Sequence, residues 1–235
     1  MKKAVFITAM DRVDYFAETL QTWESVRGIE DWHVLVRIEP SPVQDKIAQL
    51  AKESSMNVHI NPEVYGVLPH PWLGFERLFE EGYDFVVRAE DDLLVSDDIL
   101  EYFDAMAENY KDRQDVVVVL AFNPVASDDS DSTVRLDGEF NPWVWGTWSD
   151  RWQNVLRTNW DFAYSTYNGW PGNEAGWDWN FKTRVFPAHG LKCVQPSHSL
   201  VQNIGVWGVH GSPDNFQPAE SWEQHHEQTN VWTER

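Results

Sequence analysis

The sequence predicts an α/β fold in which a mostly parallel central sheet carries helices on both faces. Two observations carry this. Strand-patterned and helix-patterned segments alternate four times over roughly the first half of the chain, and such alternation favours parallel strands joined by helical crossovers. The strand segments are also near-continuous apolar runs rather than alternating ones, as expected for strands covered on both sides.

The elements follow in order. "KAVFITAM" (3–10) is a short apolar run stopped by "DR", which suits a buried strand, and it reads as the first core strand of a cytoplasmic protein rather than a signal peptide. "DRVDYFAETLQTW" then places Val13, Phe16, Leu20 and Trp23 at helical spacing. "WHVLVRI" (32–38) is strand-like and is broken by "EPSP". "PVQDKIAQLAKES" puts Val43, Ile47, Leu50 and Ala51 on one helical face, "MNVHIN" supplies a third strand, and "HPWLGFERLFEEG" a helix ended by Gly82. In "YDFVVRAEDDLLVSDDILEYF" (83–103) a fourth strand stops on Glu90, Asp91 and Asp92, and a helix follows with Ser96 as its expected N-cap and Asp97 and Asp98 in its first turn.

The second half is less regular. "DVVVVLAFN" (115–123) is another buried strand, and "PVASDDSDSTVRLDGEF" (124–140) a polar, mobile excursion. "NPWVWGTWSDRW" and "NGWPGNEAGWDWNF" are dense in Trp, and "LKCVQPSHSLVQNIGVWGVHG" (191–211) is a strand running into a Gly-rich loop that ends near His210. With no repeat or linker, the expectation is a single domain, 1–235, in two halves, 1–112 and 113–235.

Composition narrows the function. The formal charge is −20, from 18 Lys and Arg against 38 Asp and Glu, so stable binding to nucleic acid or an anionic membrane is not expected. The lone Cys193 excludes an internal disulfide and a cysteine-based zinc site, and no apolar stretch is long enough to span a bilayer. Fourteen Trp in 235 residues must line a core or a binding cleft. Trp143, Trp145 and Trp148 fit either a core or an acceptor wall.

In open parallel sheets, ligands bind beyond the carboxyl ends of the strands. "AMDR" after the first strand and "AEDD" after the fourth fall on that rim. Crowded carboxylates repel unless something positive sits among them. Glu90, Asp91 and Asp92 fit a hard divalent cation completed by a diphosphate, a general acid/base pair, or a solvated acidic turn.

The Glu-Asp-Asp strand followed by "VSDDILEYF" resembles the acidic metal motif of glycosyltransferases with the GT-A fold, a Rossmann-like architecture, and among them the inverting N-acetylglucosaminyltransferase I type. "LAFNP", "FNPWVWGTWSDRW", "GWDWNFK" and "CVQPSHSLVQNIGVWGVHG" follow in an order similar to that family's, so the resemblance runs from about residue 4 to 211. Two features depart from it. The membrane anchor and stem of the eukaryotic members are not expected here, and "HSLVQN" stands where the family has Arg-rich elements. Kinship with soluble bacterial or viral relatives fits equally well.

The resemblance implies a metal-dependent, inverting transfer of a hexosyl or N-acetylhexosaminyl group from a nucleotide-diphosphate sugar, using Mn²⁺ or Mg²⁺. The half 1–112 would bind this donor and the half 113–235 the acceptor, which would be a glycan, lipid, protein or modified nucleobase. It implies Asp92 as metal ligand, with Asp91 and Glu90 on ribose or sugar hydroxyls. Arg12 is expected by the nucleotide, though it would also serve as a solvent-facing Arg, and Glu39 is expected to border the base. His210 is expected on the metal, with His198 second. Inverting transfer needs a base opposite the leaving group, and Asp178 between Trp177 and Trp179 suits it, because flanking rings raise a carboxyl's pKa. Its alternative is an ordinary helix N-terminal acid; Glu174 and then Asp161 are the reserve candidates. The rival functions are a nucleotidyltransferase, which "ITAMDRVDYF" disfavours by lacking a Gly-rich phosphate loop, and a non-catalytic carbohydrate-binding protein, which would not need the nucleotide half.

Overall fold

β1 (Lys3–Ala9) lies at the switch point of the sheet. It pairs in parallel with β2 (His33–Ile38) on one side and with β4 (Phe85–Glu90) on the other. β3 (Asn57–Ile60) extends the β2 side as a short edge strand. The computed structural model describes residues 1–125, 133–136, 138–163, 176–207, 219, 222–226 and 232–234.

Each early helix forms where the apolar spacing predicts it. α1 (Val13–Trp23) buries Phe16, Leu20 and Trp23, and α2 (Gln44–Glu53) buries Ile47 and Ala51. α3 (Pro69–Glu80) buries Phe75, Leu78 and Phe79 and is followed by Gly82 at φ 80°, a left-handed value that glycine adopts without penalty. Alternate residues of β1 serve opposite faces. Val5 and Ile7 join the core under α1 and α2, which α4 (Ile99–Asn109) also covers, while Ala4 and Phe6 join the core under α3.

The second half completes the same sheet. β6 (Val116–Leu120) is buried along its whole length. Between β4 and β6 runs β8 (Trp145–Trp148), antiparallel to both, and β9 (Lys192–Pro196) lies parallel to β6. β7 (Thr133–Arg135) and β11 (Thr233–Glu234) finish that edge. Of the polar stretch 124–140, residues 126–132 and 137 lie outside the described residues. A turn of helix α5 (Ser149–Arg151) continues into a π-helical turn, Trp152–Leu156. Another π-helical turn, Phe181–Val185, joins α6 (Trp177–Asn180) to α7 (Phe186–His189).

One open alternative is settled and one expectation needs correction. Trp145 and Trp148 are core residues, 0% and 4% exposed, because their strand occupies an interior place in the sheet; only the half-buried Trp143 keeps an outward surface. Ser96 does not cap a helix. A short strand β5 (Leu93–Val95), paired antiparallel with β10 (Val201–Asn203), comes first, and α4 begins only at Ile99. Ser96 Oγ instead donates to Asp98 Oδ1 at 2.7 Å, Arg27 pairs with Asp97 at 2.8 Å, and His226 Nδ1 lies 3.2 Å from Asp98. These buried acids fasten the returning C-terminal segment.

Burial opposes the Asp98 charge, yet the hydrogen bonds from His226 and Ser96 outweigh it and hold its pKa below the ordinary value. A depressed carboxyl contributes stability above its unfolded pKa of about 3.9 and loses it as pH falls through the folded value. Asp98→Asn should therefore cost about 1–3 kcal/mol near neutrality and progressively less below about pH 4, as read from denaturation midpoints across pH. Among the described residues, no helix is long and apolar enough to cross a membrane.

Candidate active site on the carboxyl rim of the sheet

In the β1–β4 ladder Thr8 stands opposite Glu90, and in the β1–β2 ladder Ala9 stands opposite Ile38. The chain therefore leaves all three strands at one level. Arg12, just beyond β1, turns back onto the end of β4. One of its terminal nitrogens lies 2.5 Å from Asp92 Oδ2, and the other pairs with Asp91 Oδ1. Both acids are buried, with side chains 4% and 9% exposed. The turn is held from two directions. Thr19 Oγ1 of α1 donates to the Asp91 carbonyl at 3.0 Å, and the Ile204 N–H donates to the Asp92 carbonyl at 2.9 Å.

Gly205 follows at closest approach. A Cβ there would stand 2.1 Å from Asp92 Oδ2, so no larger residue fits without moving the carboxylate. Its N–H donates to Asn203 Oδ1 at 2.8 Å, and the Trp207 N–H donates to the Tyr15 hydroxyl at 3.2 Å. Gly205→Ala should displace Asp92 and weaken cation-dependent ligand binding about tenfold or more, measured by calorimetric titration; unchanged binding would refute the packing argument.

The acids remain under-compensated. Burial pushes Asp91 up to about 7 even though the Arg12 charge opposes it, and burial with the Glu90 charge raises Asp92 as well. Burial works against Arg12 too, but Asp91 and Asp92 prevail and hold it protonated. Asp92 Oδ1 is buried with no hydrogen-bond partner among the described residues. Its neighbour Glu90, half-buried at the strand end, pairs with Arg88.

A divalent cation fits this set on one count. The unpartnered Asp92 oxygen is a hard ligand that lacks only a cation. Among the described residues, no group of three or more His, Cys, Asp or Glu converges on one point. The protein would thus contribute few ligands and leave the rest to a bound diphosphate and water.

Glu39, at the end of β2, is buried and turned toward the following loop. It accepts the Tyr65 N–H at 3.0 Å and the Gly66 N–H at 2.9 Å, and His70 Nδ1 lies 3.3 Å away. Burial, with the Arg37 and Arg88 charges, depresses His70 to about 3, so the ring is neutral. Glu39 fixes the wall of the rim while its oxygens are occupied by the chain itself.

Asp178 lies in the first turn of α6, half-buried. Burial raises its pKa; the Trp179 N–H and the Arg88 charge oppose this, and Glu90 adds to it. Asp178 therefore shares an electrostatic neighbourhood with the end of β4. Trp177 beside it stacks on Trp160, with centroids 4.5 Å apart. Asp161 accepts the Ala163 N–H at 2.9 Å in a local turn. His198 lies in the turn between β9 and β10. His210 and Glu174 lie outside the described residues.

Two contributors escaped the sequence reading. Arg88, whose only signal was a charge inside the apolar run "FVVRAE", and the Asn203–Gly205 turn both reach the acids.

No family model matches the chain, and no curated protein does. Solved structures do. Residues 1–349 of TarS from S. aureus superimpose with a TM-score of 0.58 at 10% identity, over 86% of this chain and 60% of that one. A Pyrobaculum calidifontis mannosyltransferase in complex with GDP-Man and Mn²⁺ gives 0.56 at 12% identity, over 83% and 54%. The fold is GT-A. Within the GT-A fold the chain spans little more than half the length of these two relatives, and identities this low carry architecture alone.

Proposed function

We propose that this chain is a metal-dependent, inverting glycosyltransferase that moves a sugar from a nucleotide-diphosphate sugar to a hydroxyl acceptor. The observation that carries the reading is the convergence of Arg12, Asp91 and the unpartnered Asp92 oxygen on the carboxyl rim of a GT-A sheet. Its likeness to the mannosyltransferase bound to GDP-Man and Mn²⁺ agrees with it, as does the ordered sequence resemblance to the N-acetylglucosaminyltransferase I type.

Asp92, and by the sequence resemblance His210, would hold Mn²⁺ or Mg²⁺, which would neutralise charge on the departing nucleoside diphosphate. Arg12 would exchange part of its pairing with the acids for a donor phosphate, since a guanidinium matches either anion. Asp91 and Glu90 accept hydrogen bonds from ribose and sugar hydroxyls. Glu39 braces the loop at residues 65–66 that borders the base. Asp178 takes the proton from the acceptor hydroxyl as it attacks the anomeric carbon, and residues 113–235 supply the acceptor side. The raised Asp178 pKa suits that role, because a base works best with a pKa nearer the operating pH.

The direct test is a panel of nucleotide sugars with Mn²⁺, scored by donor hydrolysis and thermal stabilisation. Stabilisation by a nucleotide sugar only when Mn²⁺ is present supports transfer. Stabilisation by free saccharide alone identifies a carbohydrate-binding protein, and pyrophosphate release from a nucleoside triphosphate and a sugar phosphate identifies a nucleotidyltransferase.

A further inference from the structure

Arg88 is a charged side chain on an interior strand, 3% exposed. On β4, Val87 and Ala89 face the core under α1 and α4, so Arg88 faces the opposite side with Val86. There its guanidinium meets three different partners. One terminal nitrogen pairs with Glu90, the other donates to the Pro142 carbonyl at 2.7 Å, and the plane lies over the Trp177 ring at 5.2 Å. Its Nε has no hydrogen-bond partner among the described residues, so the buried charge is held by the two terminal nitrogens, one of them in an ion pair. A flat fork that can donate at two corners and stack through its face is arginine's alone, since lysine offers a point charge without a plane.

These partners belong to separate parts of the site. Glu90 ends the strand of the nucleotide half. Pro142 precedes β8, and Trp177 opens α6 immediately before Asp178. The same guanidinium is also among the charges that Asp178 feels.

We propose that Arg88 is a positioning residue that fixes Glu90 for the sugar of the donor and, through Trp177, registers the Asp178 turn against it. This rests on the glycosyltransferase reading and deepens it. Arg88 touches neither donor nor acceptor. It sets where the carboxylate that reads the sugar stands relative to the residue that accepts the proton. Selectivity for a nucleotide sugar over its bare nucleoside diphosphate then depends on a residue beneath the site.

The test compares binding of UDP-N-acetylglucosamine, UDP-glucose and GDP-mannose with binding of UDP and GDP, all with Mn²⁺. It uses the wild-type chain, Arg88→Lys, Glu90→Gln and the double variant. For the sugar nucleotide that binds wild type best, each single variant should weaken binding about tenfold. The matching diphosphate should change by less than about twofold, and the double variant should be no worse than either single one, as expected for residues acting as one unit. Equal weakening of sugar nucleotide and diphosphate by Arg88→Lys would reduce Arg88 to a structural support and overturn the proposal. So would additive effects in the double variant. If Arg88→Lys fails to fold, Arg88→Gln takes its place under the same two readings, and unaltered preference for the sugar nucleotide in Glu90→Gln overturns the proposal outright. A wild-type chain that binds none of the five nucleotides overturns the glycosyltransferase reading, and this inference with it.

Discussion

Asp92→Ala is expected to abolish Mn²⁺-dependent binding of nucleotide sugar, by at least about a hundredfold, while leaving the protein folded. The Asp92 side chain offers the one buried carboxylate oxygen of the acidic turn that lacks a partner among the described residues, and with few protein ligands present no neighbour can replace it. Stability should move the other way. A carboxyl whose folded pKa is raised is held at a cost in its charged form, and that cost grows as pH rises past the unfolded value. Burial and Glu90 raise Asp92 in this sense. The alanine variant should thus keep or exceed the wild-type melting temperature near neutrality. Loss of binding with retained stability would mark a residue kept for its ligand. Loss of both together would make Asp92 an ordinary structural acid, and the cation hypothesis would fall. Calorimetric titration and thermal melts on the same samples give both readings.

Asp178→Ala is expected to lower turnover by about 10²–10⁴-fold, the usual contribution of a general base, with donor binding unchanged. The two halves of this expectation come from different places. The donor would bind across the Arg12–Asp91–Asp92 rim, which Asp178 does not pair with, whereas the attacking hydroxyl must lose its proton on the far side of the sugar. The pH profile supplies an independent reading. Activity should climb with pH through a limb above the ordinary aspartate value of about 3.9, because the base works deprotonated and burial raises Asp178. The limb should vanish in the variant. An active Asp178→Ala enzyme with the limb intact would move the role to Asp161 or Glu174.

Much of the first half, residues 1–112, was legible because its signals are local. Ala4 to Ile7 are fully buried and read as an uninterrupted apolar run. Phe16, Leu20 and Trp23 recur at the helical period because one face of α1 packs on the sheet. The rim was legible for the same reason: strand ends follow from strand runs, and "AMDR" and "AEDD" had to emerge together. What remained hidden depends on partners far along the chain. β5 has three residues, too few for any periodicity, and exists because Val201–Asn203 returns to pair with it. Ser96 and Asp98 have the composition of a helix start, yet the Ser96 hydroxyl is turned onto Asp98, which His226 also meets. Trp145 and Trp148 could not be assigned to core or cleft until β8 was seen to be interior. Arg12 and Arg88 show the same limit. The acids asked for a positive charge: the rim brought Arg12 near them without revealing that it pairs with both Asp91 and Asp92, and no local pattern connected Arg88 to Glu90.

The placement of β8 also bears on how this fold can be taken apart. Because Trp145–Trp148 fills the gap between β4 and β6 with the opposite polarity, a fragment ending near residue 112 would expose the whole hydrogen-bonding edge of β4. Open edges of that kind template aggregation. The segment 1–112 is accordingly not a transplantable cassette, and chimaeras that graft a new second half onto it must bring their own reversed strand to close the seam.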